Sequence, residues 1–194
     1  MRNTLFAGLA MLALVAAAAP AMAGTSITNG GGNVNVARGT LSEADQSIAT
    51  VGGTALGRGS LAVTNGGGNR NLALGRGSLA QQGVTTVGGT AIGRGRVFTS
   101  GGDNLNAAVG RFSTAGQSVT TVGGTALGRG TSVTSGGLNS NAAIGKFSDA
   151  EQQVLTEGGT ATGFGKNLTF GGANANAAIG KGSFAGQSVV TVSP

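Results

Sequence analysis

The chain repeats itself, and the length of the repeat leaves few folds open. An A-x-G triplet returns nine times, its glycine at Gly39, Gly57, Gly75, Gly93, Gly110, Gly128, Gly145, Gly163 and Gly180. Successive glycines lie 17 or 18 residues apart. Alternate units match one another better than neighbours do, so a double repeat of 35 or 36 residues overlies the short one. A period this short and regular is that of a solenoid, in which each unit buries its inner face against the next.

Two kinds of unit alternate. Type A is centred on Gly39, Gly75, Gly110, Gly145 and Gly180, and type B on Gly57, Gly93, Gly128 and Gly163. Each type A unit carries a Gly-Gly pair before the triplet, as in Gly101-Gly102, preceded by a β-favouring run such as Val97-Phe98-Thr99. Strand, Gly-Gly turn, strand and a second turn at R-G-S or K-F-S is the simplest parse. The 40 glycines and many β-branched residues, with no 3.6-residue stripe, argue against helix. The expected fold is therefore all-β: a parallel β-solenoid of about nine 17–18-residue coils, paired as 35–36-residue double repeats. Such a rod would be about 40 Å long at about 4.8 Å per coil.

Small residues would let the coil be thin. Ala stands two positions before the index glycine in every unit, and Leu56, Leu74, Ile92, Val109, Leu127, Ile144 and Ile179 stand one before it. These alternate on opposite faces of a strand. The aliphatic face is expected to be the core.

Residues 1–23 form a separate device. Arg2 precedes an apolar run from Leu5 to Ala19, and Ala21-Met22-Ala23 is a small-x-small cleavage site. This is the pattern of a secretory signal. It leaves residues 24–194 as a single repeat domain with no integral membrane segment, secreted or held at a bacterial surface. Without Arg2 there are 11 basic residues against six acidic ones, a net charge of +5. The chain has no Cys, so stability must come from stacking rather than disulfides.

Stacking turns each repeated position into a row. Asn33/Asn35, Asn69/Asn71, Asn104/Asn106, Asn139/Asn141 and Asn174/Asn176 recur at fixed offsets, as do Gln46, Gln82, Gln117, Gln152 and Gln187. Stacked amides can hydrogen-bond along a rod, so structural amide ladders are expected. Arg58, Arg76, Arg94, Arg111, Arg129, Lys146 and Lys181 follow the index glycine and form a basic row. Like charges one coil apart repel, so the row either stays in water or lies along an anionic polymer. Thr54, Thr90, Thr125 and Thr160 make a further row in the type B units, read as one Thr on every second coil. The placement of Phe98, Phe112, Phe147, Phe164, Phe170 and Phe184 is left open between core and contact surface.

Catalysis has little to stand on. There is no His or Cys to serve as nucleophile, partner or metal ligand, and the six carboxylates do not recur together. No enzyme activity, metal or cofactor is expected.

Asn176-Ala177-Ala178-Ile179-Gly180-Lys181 and Thr54-Ala55-Leu56-Gly57-Arg58-Gly59 resemble the head repeats of trimeric autotransporter adhesins, with their N-x-x-A-I-G pattern. The likeness covers nearly all of residues 24–194. It implies a left-handed parallel β-roll that trimerises and adheres to surfaces. Ser60-Leu61-Ala62-Val63-Thr64-Asn65-Gly66-Gly67-Gly68-Asn69 is similar to curlin, the subunit of bacterial extracellular amyloid fibres. That resemblance implies strand-turn-strand units that stack between copies.

The expected function is that of an exported structural or adhesive protein of the cell surface or extracellular matrix, self-associating as a trimer or fibre. The competing reading is a secreted module that binds an anionic polysaccharide or cell surface through the basic row, with ice binding by the Thr row a distant third. Without aromatics between the cations, nucleic acid is not an expected partner.

Overall fold

A computed structural model describes residues 24–193, all strand and turn. The expected signal, residues 1–23, lies outside the described residues. Every strand pair is parallel, and the strands fall into four sheets. The first sheet holds Thr25–Asn29, Leu61–Asn65, Arg96–Ser100, Thr131–Ser135 and Lys166–Phe170. The second holds Gly32–Arg38, Gly68–Leu74, Asp103–Val109, Leu138–Ile144 and Ala173–Ile179. The third holds Glu43–Val51, Leu79–Val87, Thr114–Val122, Asp149–Glu157 and Phe184–Val192. The fourth is shorter: Thr54–Leu56, Thr90–Gly93, Thr125–Gly128 and Thr160–Ala161.

The chain visits the sheets in that order, so one coil takes four strands and the whole is a β-solenoid of five coils. This corrects the expected nine. Asn33 pairs with Asn69 and Asn69 with Asn104, each partner one double repeat away. A 17–18-residue unit spans only two strands, which cannot close a coil, so types A and B form opposite halves of each turn and never stack on each other. Five coils at about 4.8 Å each give a stack of about 24 Å, little more than half the expected length.

The core is also on the other face. Ala55, Ala73, Ala91, Ala108, Ala126 and Ala143 are fully buried, whereas Leu56, Ile92, Ile144 and Ile179 are exposed. Narrowness is the reason. The second and third sheets lie close enough for Asn71 on one to donate its Nδ2 hydrogen to the backbone carbonyl of Gln81 on the other, at 2.7 Å. Near the corner they share, only a methyl group fits between them, so Ala44, Ala73, Ala80, Ala108, Ala115, Ala143 and Ala150 form one apolar cluster. Val84, Val119 and Val154 make a second cluster, with Ile48 against it.

The glycine pairs have a steric cause. A Cβ on Gly66 would stand 2.5 Å from the Gly101 carbonyl oxygen and 2.6 Å from Thr86 Oγ1. Its neighbour Gly67 has φ of +80°, a region that costs a residue with a side chain. The first position of the pair is therefore held by crowding and the second by backbone angle and crowding together, since a Cβ on Gly67 would also run into the Gly31 carbonyl oxygen.

Candidate functional site

The side chains that could recognise anything sit either in the inner columns or at the corners between sheets. Asn33, Asn69, Asn104, Asn139 and Asn174 form an unbroken inner column on the second sheet. Each Nδ2 donates to the next Oδ1, at 2.9, 2.7, 2.7 and 2.8 Å. Their second hydrogens go to turn carbonyls, as from Asn104 to Gly101 at 3.0 Å. The second amide column links Asn71, Asn106, Asn141 and Asn176 in the same direction. Asn35 departs from it, donating to the Asp45 carbonyl while Asn71 Oδ1 is left without a partner.

The glutamine column runs the other way. Gln82 Nε2 donates to Gln46 Oε1 at 2.8 Å, and Gln117, Gln152 and Gln187 each donate to the Gln before them. All these amides are turned inward, where their hydrogen bonds offset the cost of desolvation. They are placed to hold coils together rather than to meet a ligand from the side.

Inward threonines form further columns. Thr50, Thr86, Thr121 and Thr156 on the third sheet, and Thr64, Thr99, Thr134 and Thr169 on the first, have Oγ1 atoms buried without a hydrogen-bond partner. All but Thr169 pack instead toward a glycine pair, as Thr86 does at Gly66. Thr54, Thr90, Thr125 and Thr160 lie on the fourth sheet and pair on successive coils, not on alternate ones as the sequence suggested. Their spacing is therefore one coil, and the column beside them is Leu56, Ile92 and Leu127.

The basic row does not exist as a single line. Because A and B units occupy opposite halves of the coil, it splits into two. Arg76, Arg111, Lys146 and Lys181 stand at the corner between the second and third sheets, and Arg58, Arg94 and Arg129 at the corner between the fourth and first. The first group is interleaved with large side chains: Leu41, Phe112 and Phe147 have φ of +55°, +60° and +59°. Phe112 and Phe147 stack at 5.5 Å, and Arg111 and Lys146 lie over their rings at 5.0 and 5.2 Å. In the second group Arg129 lies 5.4 Å from the centre of the Phe164 ring. The phenylalanines left open by the sequence are all exposed.

Charge is divided unequally between the halves. All six carboxylates lie on the second and third sheets: Asp103 on one, and Glu43, Asp45, Asp149, Glu151 and Glu157 on the other. They balance the six cations of that half, Arg38, Arg70, Arg76, Arg111, Lys146 and Lys181. The first and fourth sheets and their shared corner hold Arg58, Arg94, Arg96, Arg129 and Lys166 with no Asp or Glu. The whole excess positive charge of residues 24–194 therefore lies on one side. Arg96 and Lys166 escaped the sequence reading because they fall outside the repeated offset. Their contribution becomes visible only when the strands that bear them are placed beside the corner.

Among the described residues, no group of three or more His, Cys, Asp or Glu could hold a metal ion, and no helix is long and apolar enough to cross a membrane. No protein-family model matches the chain, and searches of curated proteins and of solved structures found no match either.

Proposed function

We propose that the chain is an exported structural or adhesive protein of a bacterial surface or extracellular matrix, whose copies stack head to tail. The observation that carries this reading is the polarity of the amide columns. In the last described coil, Asn174 has donated one Nδ2 hydrogen, to the Gly171 carbonyl, and has one to spare. In the first, Asn33 Oδ1 accepts from no described residue. A second copy placed on the last coil would bring these two together.

The Gln column fits in the opposite sense, with Gln46 Nε2 of the upper copy donating to Gln187 Oε1 of the lower. Every inner column of the second and third sheets has the same kind of side chain at both ends: Asn33 and Asn174, Ala37 and Ala178, Ala44 and Ala185, Gln46 and Gln187, Ile48 and Val189. The junction would therefore repeat contacts already present inside the rod. Contact of opposite polarity would set strands antiparallel and lose this register. At the charged corner, the place above Lys181 falls to Thr40, so the cation column does not meet itself.

Cysteine cross-linking tests the stacking, since the chain has no Cys of its own. Val34 and Ala175 are outward residues of the second sheet. In-register neighbours stand about 4.8 Å apart, within the Cα range of about 4.4–6.8 Å for a disulfide. V34C mixed with A175C should oxidise to a mixed disulfide-linked dimer, while neither variant alone should form an intermolecular disulfide. The double variant S140C/A175C, at positions paired within one chain, should close internally and report the fold. Disulfide-linked homodimers, or no intermolecular cross-link at any concentration while the internal one forms, would overturn the stacking. Export is read separately: protein recovered outside the cell should begin at Gly24.

A further inference from the structure

We infer that the corner between the fourth and first sheets is a binding strip for an anionic polysaccharide, a polymer bearing both carboxylate and hydroxyl groups. The strip is built from Arg58, Arg94 and Arg129, widened by Arg96 and Lys166 on the adjoining strands. Each corner arginine sits between glycines in a G-R-G turn. A Cβ on Gly95 would lie 2.7 Å from the Ala91 Cβ, and one on Gly130 would lie 2.8 Å from the Ala126 Cβ. At Arg94 and Arg129 the corner backbone is thus packed tightly against the coil interior, whereas at Arg58 a Cβ on Gly59 would meet nothing within 4 Å.

One feature makes this corner, and not the other, the one for an anion. It has no carboxylate within its sheets, whereas the opposite half neutralises its own cations. The cations recur at each coil step of about 4.8 Å, so they present a line of charge along the axis rather than a point. A chain-like ligand can satisfy such a line; a small anion satisfies one member and leaves the rest repelling one another.

The flanking chemistry selects a sugar polymer over a nucleic acid. Thr54, Thr90, Thr125 and Thr160 place a hydroxyl on every coil that has a fourth-sheet strand, one aliphatic column (Leu56, Ile92 and Leu127) away from the strip. Such groups both donate to and accept from sugar hydroxyls. Sequence-independent binding of single-stranded nucleic acid uses aromatic platforms at successive positions. Here the corner column ends in one, Phe164, whose 86% exposed ring stands beside Arg129. Arg gives bidentate hydrogen bonds to carboxylate, which suits a uronic acid.

This site does not depend on stacking between copies, and its readout is separate from the cross-linking. The experiment is titration of the purified protein with polygalacturonate oligomers, with the methyl-esterified oligomer and single-stranded DNA as comparisons. Wild type should bind the carboxylate form, and affinity should fall as salt rises. The variant R58Q/R94Q/R96Q/R129Q should bind at least about tenfold more weakly. The variant R76Q/R111Q/K146Q/K181Q loses the same charge at the other corner and should bind within about threefold of wild type. Equal losses in both variants would show a diffuse field and overturn the assignment. So would equal binding of the esterified oligomer, tighter binding of DNA, or no binding at all.

Discussion

Asn104 donates its Nδ2 hydrogen to Asn139 Oδ1 at 2.7 Å, one coil away, and each side chain is 3% exposed. The same Asn104 accepts from Asn69 at 2.7 Å and donates to the Gly101 carbonyl at 3.0 Å. Replacing it with Ala leaves a buried donor below, a buried acceptor above and a turn carbonyl unpaired. Each orphaned group costs about 1–3 kcal/mol, so N104A should lose at least about 3 kcal/mol in urea unfolding. An effect below about 1 kcal/mol would show that water replaces the amide.

Glycine is needed at some positions and merely present at others. A Cβ on Gly101 would stand 2.5 Å from the Gly136 carbonyl oxygen, whereas one on Gly83 would meet nothing within 4 Å. G101A should cost about 3 kcal/mol or leave the chain unfolded. G83A, on the outer face of the third sheet, should be neutral or stabilising by about 0.5 kcal/mol. Thermal unfolding of the pair measures the difference, and equal melting temperatures would contradict the packing described.

Thr121 Oγ1 is buried with no partner. Valine has nearly the same shape and no polar group to desolvate. T121V should therefore raise stability by about 1 kcal/mol. A loss of stability would mean that the hydroxyl holds a bond or a water in solution.

The two faces of the strand before each index glycine should respond in opposite ways. A108L forces a branched side chain into a space sized for a methyl group and should cost about 3 kcal/mol or more. I144T changes an exposed aliphatic residue and should cost less than about 1 kcal/mol. Circular dichroism melts of both variants check the assignment of the core.

The solenoid itself was legible because Gly, Ala, Asn and Gln recur at fixed offsets, and no helix or globule requires that. The coil was not, since the shorter period describes chemistry and the longer one describes closure. The A-x-G triplet appears twice per turn because both of the non-Gly-Gly corners use it. The core was misread at Ala108 and Val109 for a related reason. Hydrophobicity ranks Val above Ala, but next to the corner between the second and third sheets the gap admits only the smaller. Splitting of the basic row, and the joining of Arg96 and Lys166 to one half of it, depend on which residues sit across a corner. That is a property of the closed turn, which no linear spacing displays.

The register of Asn69 on Asn104 and of Gln82 on Gln117 fixes a unit of length for this molecule. Removing 35 residues, from 104 through 138, would lower one turn onto another with every inner neighbour replaced by its equivalent. Removing 18 would seat a type A half on a type B half, opposing Asn to residues that offer it no amide. Such a chain can lengthen or shorten over generations only in whole turns, so its relatives should differ in size by steps of one coil while the cross-section stays the same.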